Sequence, residues 1–469
     1  MGNNKNSNLN RRKFLEYFAA IGISSALIPS CSSAAWQDEN KITVEMVAAA
    51  EKLIGIELTG QERKQILKGP VDNLKTYQKL REHKIPDNVF PSFVFNPIPP
   101  GMTFSRDKKP VKFSNMDSKR PEQIEDVAFY SVIQLAKLIQ TKQITSTEIT
   151  KMYLSRLKKY NPTLQFVVNL TEELALKQAK KADEEIQNDK YRGLLHGIPY
   201  GIKDLFSVRD YPTTWGTAVF KDRIIEDDAS VVEKLEEAGA VLLAKLSTGT
   251  LASGQKWFGG ETKNPWLPRW GAGGSSAGPA SATASGCVPF SIGTETNGSM
   301  VSPCNECGVS GLRPTFGRVS RKGAMTVSWS FDKVTPICRT VEDCAVVFNA
   351  IYGQDEYDNS IINLPFNWDP DLDILKLRIG YHTKFFEKEL MGNPKSTRDV
   401  NYRKAIRRES KRVLDFFKGL NINLVPLDFD ISPTIGANLV MIPETAAAHD
   451  EFSRGKLDDL VENQKWPGY

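Results

Sequence analysis

Three side chains in this 469-residue chain have the type and setting for nucleophilic chemistry: Lys203, Ser275 and Ser299. Lys203 ends the run His196-Gly-Ile-Pro-Tyr-Gly-Ile-Lys203 and precedes Asp204-Leu205. A lysine between Ile202 and Leu205 is expected to be partly desolvated, which favours its neutral form and makes it a usable base. Ser275 follows Gly273-Gly274 and Ser299 follows Gly298. Glycine admits backbone angles that a Cβ resists, so each loop can turn N–H groups and a hydroxyl toward something small. Glycine and serine alone also make ordinary turns; the lysine is what points to an activated serine.

Three elements must position these groups. A strand over 200–202 delivers Lys203, and the apolar run 288–292 ties the two serine loops to one short buried element. Around them the pattern alternates. Helices are expected at 131–140, from Ser146 or Thr147 to 159 with a stop at Asn161-Pro162, at 171–187, and from a cap at Asp227 or Asp228 to Gly239. Strands are expected at 166–170 and 240–246. Such alternation implies an α/β fold with a mixed, mostly parallel central sheet covered by helices on both faces. Farther on, a strand at 377–381, a basic helix at 399–418, a strand at 423–427 and a helix at 442–460 follow. The cations of the basic helix read as a solvated face.

The Lys203 segment, the Gly273-Gly274-Ser275-Ser276 loop and the Gly293-Thr-Glu-Thr-Asn-Gly-Ser299 loop together resemble the amidase signature family, in that family's order. The 24 positions from Ser275 to Ser299 match its spacing, and Asn264-Pro-Trp, Gly311-Leu-Arg-Pro-Thr and Arg339-Thr-Val-Glu-Asp extend the likeness over roughly residues 126–350. The resemblance implies hydrolysis of a small-molecule amide through an acyl-enzyme, with no cofactor and no metal. It makes Ser299 the nucleophile, Ser275 a bridging serine on a cis peptide, and Lys203 the neutral base. Backbone N–H groups of Thr296, Asn297 and Gly298, with that of Ser299, would form the oxyanion hole. Ser276 would help hold the bridging serine, and Glu295 would support the site where aspartate is more usual. Asn297 and Val301 depart from the common glycine and arginine, which weakens a tRNA-dependent amidotransferase role. Members usually continue past this chain's last residue, so 126–469 is expected to be a C-terminally incomplete amidase domain, and a binding-only homologue stays open.

Two rivals come from motifs. Gly274-Ser-Ser-Ala-Gly278 fits G-x-S-x-G, which would make Ser276 an esterase nucleophile, but 264–271 reads as a poor strand to precede it. Ser155-x-x-Lys158 lies mid-helix without companion motifs and reads as coincidence. The four histidines, His83, His196, His382 and His449, read as ordinary polar side chains rather than a Ser-His-Asp base.

Composition limits the partners. With 61 basic and 56 acidic residues the net charge is only +5, and no basic run interleaves with aromatics, so nucleic acid is not expected. Residues 1–31 read as an export signal: Asn10-Arg11-Arg12-Lys13-Phe14-Leu15 resembles a twin-arginine motif, 17–28 is apolar, and Cys31 fits a lipoprotein cleavage box. The protein is thus expected to be periplasmic or membrane-anchored through lipid on Cys31; a plain secretory signal with Cys31 incidental is the alternative. Cys287, Cys304, Cys307, Cys338 and Cys344 lack a zinc pattern. Residues 36–125 are expected to be a helical segment and an extended arm.

Overall fold

The computed structural model describes residues 42–54, 56–82, 96–386, 397–429 and 437–450. Two compact units divide the chain, residues 1–89 with 468–469, and residues 90–467. In the first, helices α1 (Val44–Ile54), α2 (Gly60–Ile66) and α3 (Lys68–Arg81) follow one another. Thr59 and Glu62 form a capping box at the start of α2, and Arg63 grips the buried Glu51 carboxylate of α1 with two bonds of 2.8 Å.

The second unit is built on a six-stranded sheet. Its strands are β1 (Val167–Leu170), β2 (Pro199–Lys203), β3 (Val241–Leu246), β4 (Phe290–Glu295), β5 (Ser310–Gly311) and β6 (Lys333–Cys338), in the spatial order β1-β3-β2-β4-β6-β5. The mixed sheet expected from the sequence is present. Its parallel part is the three central strands: β2 pairs parallel with β3 and with β4, while β1, β6 and β5 join antiparallel. The central strands are buried at every position, as strands covered on both faces must be. Two further strands, β7 (Arg378–His382) and β8 (Asn423–Leu427), pair parallel with each other as a separate ribbon.

Helices α4 (Val132–Gln140), α5 (Ser146–Leu164), α6 (Glu172–Gln187), α7 (Ser230–Glu237), α8 (Ala277–Ala284), α9 (Val301–Cys307) and α10 (Val341–Ile351) complete the layers. Ser131 and Thr145 cap α4 and α5 through boxes closed by Gln134 and Glu148. The α5 cap is therefore one residue before the expected Ser146, whose hydroxyl is buried against Gly197 O at 2.8 Å. Pro162 also does not stop α5. The helix runs one more turn to a left-handed Gln165, and the Asn161 carboxamide takes the Phe166 and Val167 N–H groups instead. At α7 neither expected aspartate is the cap: Ala229 occupies that position, and Asp228 accepts from Arg209 N at 2.7 Å. Segment 264–271 also departs from expectation. Leu267–Gly271 is a strand, folded back on Lys263–Asn264 by a turn in which Asn264 Oδ1 accepts from Trp266 N at 2.9 Å. Helices α11 (Thr397–Gly419) and α12 (Ala437–Ala448) follow β7 and β8 in turn. Cys31, His83 and the end of the expected 442–460 helix lie outside the described residues.

Candidate active site

Strand β2 carries Lys203 to its carboxyl end, where the side chain is fully buried. Its Nζ lies 2.8 Å from Ser275 Oγ and 2.7 Å from Thr294 Oγ1 at the end of the neighbouring β4. Among the described residues no carboxylate pairs with it. Burial pulls the amine from its ordinary value near 10.5 down to about 7, against the opposing fields of Glu295 and Asp332.

A second buried lysine makes the contrast. Lys245 on β3 sits one strand away, opposite Ile202, and its Nζ is 2.9 Å from the equally buried Asp204 carboxylate. It also donates to Pro212 O at 2.7 Å and to Thr213 Oγ1. Asp204 takes the N–H and hydroxyl of Thr214. The carboxylate next to Lys203 in sequence is thus consumed by Lys245, and Lys203 faces hydroxyls alone.

The serine loop is held by close backbone approach. Gly273 sits at φ +76°, and the Gly274–Ser275 peptide is cis. A Cβ on Gly274 would lie 1.9 Å from Gly254 O, so only glycine fits there. Gly249 N donates to Ser275 O at 3.3 Å, and Ser276 N to Ser299 O at 2.9 Å. The second bond ties the two serine loops together. Ser299 itself is half-buried, and among the described residues its hydroxyl has no hydrogen-bond partner. The structure therefore brings Lys203 and Ser275 into contact and places Ser299 beside them through backbone, with no bond between the Ser275 and Ser299 hydroxyls.

Ser276 is fully buried, and its hydroxyl is spent on β4, donating to Thr294 O at 3.0 Å and accepting from Thr294 N at 3.2 Å. A strand does precede this G-x-S-x-G segment, contrary to expectation, but the hydroxyl it would present is locked inward.

Glu295 is buried and organises the turn after β4. One oxygen accepts from Gly298 N and the other from Met300 N at 2.7 Å and Val301 N at 3.1 Å, with exposed Arg313 at 3.7 Å. This corrects the oxyanion set read from the sequence: the Gly298 N–H is committed to Glu295, because a buried carboxylate at the strand end needs donors. Thr296 Oγ1 donates to Asp332 at 2.6 Å, and exposed Asn297 stands at the tip.

Sequence reasoning missed two residues, Thr294 and Asp332. Thr294 carried one weak sign, a hydroxyl at the second-to-last position of a fully buried strand; Asp332 carried none, since its partner Thr296 is 36 positions away. The three described histidines are elsewhere. His196 Nδ1 accepts from Arg192 N at 3.1 Å with Glu185 3.1 Å from Nε2, and His382 contacts Phe429 O at 2.9 Å. Burial pulls His449 down to about 4. All five described cysteines are buried and free, and among the described residues no group of three or more His, Cys, Asp or Glu could hold a metal ion.

The fold defines an α/β protein whose polar cluster lies beyond the carboxyl ends of parallel strands, where open α/β sheets place their ligands. The Amidase family profile matches residues 148–411, and the chain belongs to that family. It is 39% identical over 272 residues to the putative amidase AmiD of Mycobacterium tuberculosis, covering 57% of each chain. It is 40% identical over 236 residues to a glutamyl-tRNA(Gln) amidotransferase subunit from Coxiella burnetii, covering 50% of this chain and 49% of the other. The chain thus spans about half the length of the curated relatives it matches. The native peptide amidase from Stenotrophomonas maltophilia superposes with a TM-score of 0.62 at 27% identity, over 72% of this chain and 74% of that one.

Proposed function

We propose that this protein is a serine hydrolase that cleaves the C–N bond of small carboxylic amides. Ser299 Oγ attacks the amide carbonyl carbon and gives its proton to Ser275 Oγ, which passes its own to the Lys203 amine. Collapse of the tetrahedral species expels ammonia or an amine, which takes that proton by the reverse route, and leaves an acyl group on Ser299. Water then attacks the ester through the same relay and releases the carboxylate. Oxyanion stabilisation falls to the turn after β4, with the N–H groups of Thr296, Asn297 and Ser299 as the donors the proposal relies on.

The observation that carries this reading is the buried Lys203 amine held on two hydroxyls with its neighbouring carboxylate taken by Lys245. With its pKa pulled down to about 7, an amine so placed has a large neutral fraction near pH 7 and can accept a proton. The locked Ser276 hydroxyl argues against the esterase alternative. The likeness to an amidotransferase subunit makes an acceptor other than water the second outcome, and product analysis separates the two.

The test is turnover of aryl, fatty and peptide-terminal amides by the purified chain, with release of ammonia or amine measured against Ser299→Ala and Ser276→Ala. Loss in the first variant and retention in the second is expected. Unchanged turnover by Ser299→Ala sinks the assignment, and absence of turnover on every amide favours a binding-only protein.

A further inference from the structure

We propose that Asp332 is a positioning residue for this site, holding the nucleophile turn through Thr296 and placing a half-buried negative charge on the recess that Thr294 shares. The inference rests on the amidase reading above and adds a residue to it.

Asp332 precedes β6, whose first residue Lys333 pairs with Glu295 at the end of β4. Its carboxylate oxygens are filled by donors alone: Thr296 Oγ1 at 2.6 Å on one, Val327 N at 2.8 Å and Ser328 N at 3.0 Å on the other. Three donors and no acceptor describe an ionised carboxylate. The small recess beside it is lined by Thr294, Thr296, Arg321, Met325, Val327 and Asp332. The same recess is therefore lined by Thr294, whose hydroxyl holds Lys203, and by Asp332, which holds the turn bearing Ser299. Ser328, whose N–H binds Asp332, is held in turn by Glu444 of α12, which also takes Ser330 N at 3.0 Å. Asp332 is thus fixed from both sides.

Other charges near Lys203 are already committed. Glu295 is filled by the turn after β4, Lys333 donates to Phe331 O, Asp204 and Lys245 neutralise each other, and Arg321 is bound to Asp358 at 2.9 Å. The field of Asp332, second to that of Glu295, favours the protonated amine, opposing the effect of burial. Removing it should let Lys203 lose its proton at lower pH.

The experiment measures the labelling rate of the full chain by an alkyl fluorophosphonate from pH 5 to 9. For Asp332→Asn, the acid limb of the profile is expected to move down by roughly half to one pH unit, with labelling slowed about fivefold or more at the optimum. Thr296→Val keeps every charge, so it should slow labelling similarly with the limb unmoved. A purely structural Asp332 would slow the reaction without moving the limb, and that result overturns the proposal. So does labelling of Thr296→Val at the parent rate, which decides the positioning role even if Asp332→Asn fails to fold by circular dichroism. Ser299→Ala separates the two claims: persistent labelling there defeats the amidase reading itself, whereas its loss beside an unmoved Asp332→Asn limb defeats only the role of Asp332.

Discussion

Replacing Lys203 with methionine should abolish turnover and yet stabilise the fold at neutral pH. In the unfolded chain the amine holds its proton up to about pH 10.5, whereas in the folded chain it releases it near 7. Between those values the unfolded state binds more protons, so the stability of the parent protein rises with pH across that window and gains nothing below it. The gap of about 3.5 pH units, at about 1.36 kcal/mol each, sets the cost of burying this lysine at up to about 5 kcal/mol at and below pH 7. Methionine removes that cost and gives up contacts to Ser275 and Thr294 worth about 1 kcal/mol each, with a further penalty for hydroxyls left unpaired. The net expectation is a gain of about 2 kcal/mol at pH 7 that passes through zero at about pH 8.5 and becomes a loss above it. Urea unfolding followed by tryptophan fluorescence at pH 6, 7, 8, 9 and 10 measures the difference directly. A Lys203→Met protein less stable than the parent at pH 7, with a difference flat in pH, would mean that the buried amine is a paired cation and refute the reasoning.

Lys245→Met should do the opposite and destabilise by about 3–5 kcal/mol, because it leaves the Asp204 carboxylate buried and unpaired; urea midpoints at pH 7 check it. Gly274→Ala should cost folding or labelling outright, since its Cβ would meet Gly254 O at 1.9 Å, and expression with fluorophosphonate labelling reports either loss. We propose a lipid anchor on Cys31, so Cys31→Ser should remove incorporated palmitate and lower the membrane-bound share on cell fractionation; unchanged labelling and partitioning would count against the anchor.

Sequence reasoning reached the parts of this molecule that are written locally. An apolar run ending in Lys203, glycines before two serines, and a cap at Ser131 are short-range signals, and the elements built on them are present within a residue or two. What it missed depends on chain segments far apart. That Asp204 would be claimed by Lys245 requires knowing that β2 and β3 are neighbours, and that Gly298 would serve Glu295 requires the path of the turn. Thr296 and Asp332 meet only because β6 lies beside β4. The hairpin at 263–271 was hidden by its prolines and tryptophans, which an edge ladder of two short strands tolerates.

Peptide mapping of the fluorophosphonate adduct by mass spectrometry tests the central claim most directly, because it asks which hydroxyl the neutral lysine activates. The account predicts a single phosphonylated serine, Ser299, formed in the parent protein and absent in Lys203→Met. An adduct on Ser276, or one on Ser299 that forms equally well without the lysine, would contradict it.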